Sequence, residues 1–311
     1  MNHGPMTISK RDYGTMSRKL LITFASWEDR FRLGFERDLR DADADQVLVL
    51  GFKSYEDRTE KNRRAVESAC RENDVEYRIE WLDVDDPASN WKTVNRAVET
   101  AIGGCSGMLL DVSTMPREVI WYVMWQVEQG GLNSRYVYHS PKKYGDDWLS
   151  RNPQAPRLVY KLSGLSAASL RTALLVTVGF DFQRVKRLVS WFEPAKLVVG
   201  FQSTSDFARN DVLMAKYRAQ LEKEYVKECD CEAFELDAFG EDTGFDAIRR
   251  KLEELDTRFN VIMASLGPKL TAISLYKLQR ARQERGLVYA PASQFSSDYS
   301  FGIGRQYGGT V

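Results

Sequence analysis

Leu20-Leu21-Ile22-Thr23-Phe24 and Leu174-Leu175-Val176-Thr177-Val178 are two strand-sized apolar runs of one pattern, 154 residues apart. Reading them as copies decides the fold. Each opens a segment in which short apolar runs alternate with stretches of helical period. The first run is followed by Val47-Leu48-Val49-Leu50, a helical stretch over 58–71, a strand from Glu76 to Leu82 and a helix over 91–102. Gly107-Met108-Leu109-Leu110 is the next strand, Pro116 opens an apolar helix, and Tyr136-Val137-Tyr138 is a fifth strand. Strands separated by helices of this length imply right-handed crossovers and a largely parallel sheet covered on both faces.

Four further elements recur in order. Gly51-Phe52 returns as Gly200-Phe201, Trp81-Leu82-Asp83 as Glu235-Leu236-Asp237, Pro116-Arg117 as Pro268-Lys269, and Val137-Tyr138 as Val288-Tyr289, at offsets between 149 and 154. Ordered recurrence at a nearly constant offset is the mark of an internal duplication. The expected class is therefore α/β: two tandem Rossmann-like units with mainly parallel sheets, related by a pseudo-two-fold axis. Residues 1–18 read as a flexible leader, 19–140 as the first unit, 141–170 as a connection marked by Lys142-Lys143, Gly145, Pro153 and Pro156, and 171–311 as the second unit.

The chain of 311 residues, 43% of them hydrophobic, suits two compact domains. Its 44 basic and 44 acidic residues cancel, so no global field draws it to duplex nucleic acid or a membrane, and an anion site must be local. Cys70, Cys105, Cys229 and Cys231 lack zinc-site spacing and read as free cytosolic thiols. Only two histidines are present, and His3 falls in the leader, so histidine chemistry would run through His139 alone. Neither a metal nor a cofactor is expected. No apolar run reaches membrane length, which points to a cytoplasmic protein. The glycine spacings of dinucleotide folds and P-loops are absent after the first strands, which argues against nicotinamide chemistry and ATP hydrolysis.

Ligands of open parallel sheets bind beyond the carboxyl ends of the strands. The residues placed there are Ser26 and Trp27 after the first strand, and Phe180 after its copy. After the fourth strand come Ser113, Thr114 and Arg117, and in the copy Ser265, Gly267 and Lys269. Hydroxyls, a proline at a helix start and a cation together suit phosphate; the alternative is ordinary helix capping. Trp27, Tyr55 and Phe180 could stack on a base or pack at an edge. Glu28-Asp29-Arg30 reads as a solvated cap, and Trp121 and Trp125 as core or inter-unit packing. No residue is assigned a catalytic role.

On these loops the chain resembles the CARF and SAVED nucleotide second-messenger sensors. SAVED sensors fuse two CARF-like units in one chain, and this sequence resembles the fused form over about residues 19–300. Asp111-Val112-Ser113-Thr114-Met115-Pro116-Arg117 and Ser265-Leu266-Gly267-Pro268-Lys269 stand where a ligand loop would be, without the usual Gly-Gly-Thr character. The resemblance implies a sensor in bacterial antiphage defence, holding a cyclic or linear oligonucleotide between the units and acting through a separate effector chain or by oligomerisation. The rivals are a ring-nuclease-like or nucleotide-hydrolysing enzyme at the same crevice, and a scaffold subunit with a vestigial one.

Overall fold

The fold is that of a computed structural model, which describes residues 18–203, 208–225 and 230–311. Residues 1–17, with His3 and nearly all of the expected leader, lie outside the described residues, as does Cys229.

The first unit runs β1 (Arg18–Phe24), α1 (Asp29–Ala42), β2 (Gln46–Phe52), α2 (Glu56–Glu72), β3 (Glu76–Leu82), α3 (Pro87–Ile102), β4 (Cys105–Asp111), α4 (Arg117–Gly130) and β5 (Ser134–His139). Three short strands follow: β6 (Lys143–Tyr144), β7 (Ser150–Pro153) and β8 (Arg157–Leu158). The second unit repeats the first as β9 (Arg171–Thr177), α5 (Phe182–Phe192), β10 (Lys196–Gln202), α6 (Ala208–Glu224), β11 (Asp230–Leu236), α7 (Phe245–Leu255), β12 (Phe259–Ser265), α8 (Lys269–Ala281) and β13 (Gly286–Tyr289). A tail closes the chain with β14 (Ala292–Phe295), β15 (Ser300–Phe301) and β16 (Gln306–Thr310).

The protein is α/β, with two mainly parallel six-stranded sheets of identical plan. Their orders are β3-β2-β1-β4-β5-β16 and β11-β10-β9-β12-β13-β8. In each, the first five strands are the Rossmann order and the sixth is antiparallel. The sixth strands are exchanged. β8, which follows the first unit, closes the second sheet, and β16, which follows the second unit, closes the first. The two trailing segments also pair with each other, β6 with β15 and β7 with β14, in a strap across the junction of the units. The segment 141–170 is thus more than a connection, and the last strand of the chain belongs to the sheet of the first unit.

Sequence explains the layering. α1 and α2 cover one face of the first sheet, and α1 does so with Phe31, Phe35 and Leu39 at four-residue spacing. α4 is apolar around its circumference, Val119 to Met124 being buried without a break, so it must be covered on both sides. The sheet covers one side, and α8 of the second unit covers the other. One hydrophobic core therefore runs from β1 and β4 through α3 and α4 to α7, α8 and the second sheet. Trp121 lies in this seam, its Nε1 donating to Ala272 O at 2.9 Å, as the inter-unit reading anticipates. Among the described residues no helix is long and apolar enough to cross a membrane.

Candidate functional site

The β4–α4 and β12–α8 loops meet where α4 and α8 pack together. Arg117, the first residue of α4, donates from Nε to Ser265 Oγ at 3.1 Å and from Nη2 to Gly267 O, both in the opposite loop. Lys269, the first residue of α8, donates from Nζ to Ser113 O at 2.8 Å, back across the junction. The two helix N-termini and their cations thus share one place, although 152 residues separate them. Protein surrounds both side chains, yet each keeps part of its surface open to a cavity. Among the described residues neither forms a salt bridge. Burial lowers the pKa of Arg117, with the Arg184 charge adding to it; burial and the Arg30 and Arg117 charges push Lys269 well below the ordinary lysine range.

Two more cations reach the cavity from the loops after β1 and β9. Arg30 and Arg184 occupy equivalent positions near the starts of α1 and α5, 154 residues apart. Glu28-Asp29-Arg30, read from sequence as a solvated cap, is instead drawn inward: Arg30 is 2% and Glu28 7% exposed. Burial of two charges demands pairing, and Arg30 meets Glu28 Oε2 at 2.9 Å. That pairing outweighs burial and raises the Arg30 pKa. Arg184 Nε stands 3.3 Å from Asp181 Oδ2 but lacks hydrogen-bond geometry to any partner among the described residues. The strap fastens to both acids. Ser300 Oγ donates to Glu28 Oε2, and Ser150 Oγ to Asp181 Oδ2 at 2.8 Å. Each half therefore carries the same chain of hydroxyl, carboxylate and guanidinium.

Two lobes lie side by side here and share Arg30, Arg117, Arg184, Lys269 and Tyr299 in their walls. The lobe on the first unit is walled by Phe24, Trp27, Phe52, Tyr55 and Phe295. Trp27 is fixed there by its Nε1 on Ser296 O at 3.2 Å and by the Arg58 guanidinium, 3.7 Å from its ring centroid. The lobe on the second unit is walled by Tyr138, Tyr144, Phe180 and Phe239, with Phe180 and Tyr144 centroids 4.7 Å apart.

The remaining residues singled out in the sequence serve the loops. Ser113 and Thr114 are buried: Ser113 Oγ accepts from His139 N at 2.8 Å, and Thr114 Oγ1 donates to Phe24 O at 2.7 Å. Ser265 Oγ bonds Thr271 Oγ1 and Arg117, and Gly267 contributes its carbonyl to Arg117. Ser26 Oγ accepts from Glu28 N and so shapes the turn that presents the acid. The two loops differ in length between their strand ends and the paired Pro-cation steps. β4 ends on Asp111 as β12 ends on Ser265, and Asp111 accepts from Thr23 Oγ1 and Ser113 N. The first loop is two residues longer, which the constant Pro-cation offset concealed.

Sequence reasoning missed Arg30 and Arg184 as site residues. The 154-residue offset applied to Arg30 leads to Arg184, but the adjacent acids made Arg30 look solvated. His139 lies behind the site and is fully buried, its Nε2 2.9 Å from Asp38 Oδ1. Burial alone would lower its pKa, but the Asp38 hydrogen bond and the Asp111 charge raise it; burial raises Asp38 to about 6. Among the described residues, His139 Nδ1 and Asp38 Oδ2 have no hydrogen-bond partner. The pair positions β5 against α1 rather than facing the cavity.

No protein-family model matches the chain, and no curated protein matches it. Solved structures similar to it include the zinc-inhibited form of teicoplanin deacetylase Orf2, at 11% identity and a TM-score of 0.29 over 45% of this chain and 76% of that one. A short-chain dehydrogenase from Oenococcus oeni matches at 11% identity and a TM-score of 0.25, over 86% of this chain and 92% of that one. An ABC-type branched-chain amino acid transporter from Rhodopseudomonas palustris matches at 11% identity and a TM-score of 0.22, over 87% and 62%. Likenesses at these scores carry no argument about fold or function.

Proposed function

We propose that the protein binds a phosphorylated ligand in the cavity between its two units, as a sensor of a cyclic or linear oligonucleotide second messenger in bacterial defence. The observation that carries this reading is the crossing of Arg117 and Lys269, which brings two basic groups, neither with a carboxylate partner among the described residues, to one cavity, where a bound anion favours the protonated form of Lys269 that burial disfavours. Holding such charges in a desolvated place costs free energy, and an anion offsets that cost. The N-termini of α4 and α8 add backbone N–H groups and the positive ends of two helix dipoles. Aromatic walls on both sides suit bases flanking a central phosphate.

The test is calorimetric titration of the protein with a panel of cyclic and linear oligonucleotides. One member should bind, and Arg117→Ala should weaken it tenfold or more, because a charge-assisted hydrogen bond contributes about 1.5 to 3 kcal/mol. If every oligonucleotide fails to bind the wild type, or if the variant binds as tightly, the reading is lost.

A further inference from the structure

Lys269 lines both lobes of the cavity, and its surroundings treat it differently from the arginines. An ammonium has three N–H donors. Lys269 Nζ has one acceptor, Ser113 O at 2.8 Å, and among the described residues no carboxylate within 4 Å. The acids nearest in charge are committed elsewhere: Glu28 to Arg30 and Ser300, Asp111 to Thr23 and the Ser113 amide. Arg30 and Arg117 face it with positive charge, and it stands at the positive end of α8. The charges of Glu28 and Asp111 favour the ammonium, but burial first, then the Arg30 and Arg117 charges, outweigh them and hold the pKa well below the ordinary lysine range. A neutral amine with one N–H on a carbonyl keeps its lone pair on the side away from that carbonyl. It is then a nucleophile.

We propose that Lys269 is a carbonyl-reactive amine when no oligonucleotide occupies the cavity, and that a small phosphorylated aldehyde or ketone, held by Arg117 and Arg184 in the oligonucleotide's place, forms an imine on Nζ. The proposal rests on the anion-binding reading for how such a compound is held. The Nζ lone pair adds to the carbonyl carbon, and a proton moves from nitrogen to the former carbonyl oxygen, giving a carbinolamine. Loss of that oxygen as water leaves the C=N bond, so one water is released for each imine formed, with no change of oxidation state. The arginines cannot do this, because their guanidinium groups stay protonated.

The experiment uses pyridoxal 5′-phosphate as the probe on the full chain, followed by borohydride, whose hydride reduces the imine to a stable secondary amine, and peptide mass mapping. Two other lysines are internal controls: Lys53, which is exposed, and Lys277, whose pKa burial also lowers but which bonds Thr310 O outside the cavity. Lys269 should be labelled at least tenfold faster than either, inorganic pyrophosphate should suppress that labelling, and the rate should persist to pH values where Lys53 no longer reacts. Labelling that follows exposure, with Lys53 ahead of Lys269, overturns the proposal without needing a variant. Lys269→Arg should remove the site and leave the control labelling unchanged. Pyridoxal without its phosphate separates the two ideas. Equal rates for both probes at Lys269 support the nucleophile and overturn the anion reading. No label at Lys269 from either probe, with pyrophosphate still raising the melting temperature, overturns the nucleophile and supports the anion reading.

Discussion

Arg117 reaches across the junction of the units to place its Nε 3.1 Å from Ser265 Oγ, and Lys269 answers by donating to the carbonyl of Ser113. The contacts are reciprocal, so the loops that build the cavity also lock the units together. The proposed ligand site and the inter-unit packing therefore draw on the same two side chains, and a charge that would suit an anion strains the junction.

That conflict predicts a gain of stability with a loss of binding in Lys269→Met. In the wild type the folded-state pKa of Lys269 lies below its unfolded value of 10.5. The unfolded chain then binds more protons between the two values, so stability rises with pH across that window. Below it the full penalty of the buried charge applies; above it the penalty is gone. The Met variant has no such penalty but leaves Ser113 O without its donor. It should be more stable than wild type by about 1 kcal/mol at low pH, and the advantage should shrink and reverse as pH approaches 10.5. Denaturant melts of both proteins across that range measure the difference, and a difference independent of pH would sink the argument.

A second pH dependence comes from His139 and Asp38, 2.9 Å apart and both almost wholly buried. The folded pKa of His139 is raised above 6.5, so the stability it contributes is fully present below 6.5 and lost as pH rises through the folded value. Asp38, raised from 3.8 to about 6, has the same sign: the folded state takes up the extra proton, and stability falls as pH rises from 3.8 to 6. Wild-type stability should therefore decline between about pH 4 and the folded His139 pKa. Asp38→Asn should cost on the order of 3 kcal/mol near pH 6.5, above the Asp38 value and below the folded His139 value, where it strips a buried imidazolium of its counter-ion. The cost should be smaller at pH 9. Urea melts at the two pH values check this, and an equal cost at both contradicts the ion pair.

How much of this was legible in the sequence follows from the kind of information each part uses. The strands of the two units were readable because a buried parallel strand writes itself as a continuous apolar run, as Val47 to Leu50 and Leu197 to Val199 do. The pairing of Arg117 with Lys269 was readable because duplication repeats Pro-cation at a fixed offset. The exchanged strands β8 and β16 were not, since Arg157-Leu158 and Gln306 to Thr310 have neither length nor alternation and take their conformation from a sheet edge supplied by the other half of the chain. Arg30 was misread because a salt bridge within one turn looks the same in sequence whether it is solvated or buried.

Gly179 carries a local test of the site. A Cβ there would come within 2.1 Å of Leu266 O and 2.9 Å of Leu266 C, both backbone atoms, so the β9–α5 and β12–α8 loops meet too closely for any side chain. Ala25 occupies the equivalent place in the first unit, which shows that the two cavity walls are built to different clearances. Gly179→Ala should force the second pair of loops apart, destabilise the protein by about 1 to 3 kcal/mol, and weaken binding of the proposed oligonucleotide ligand through displacement of Gly267 and Lys269. Unaltered melting and affinity would show that the loops yield freely.

The exchanged edge strands yield the last prediction. β16 pairs with β5 from Gln306↔His139 to Thr310↔Arg135, yet its Thr310 carbonyl accepts from Lys277 of α8, and its Tyr307 ring sits 5.1 Å from Phe239 of the second unit. β8 mirrors this: it pairs with β13, while Arg157 makes two hydrogen bonds, at 2.8 and 2.6 Å, to the buried carboxylate of Glu118 on α4. Each edge strand thus belongs to one sheet and is tied to the other unit, so neither unit completes its own edge. Arg157→Ala leaves Glu118 buried without its cation, a loss expected to cost about 3 kcal/mol or more, whereas removal of residues 305–311 uncovers the β5 edge and releases Lys277. Both changes act on the junction, so each should split a single unfolding transition into two, with the amides of β5 exchanging faster in the truncated chain and those of β13 in Arg157→Ala. Calorimetry with hydrogen exchange reads both effects; a single transition shifted bodily to lower temperature in both variants would mean that the core shared by α4 and α8 alone couples the units, and that the strand exchange adds nothing to their union.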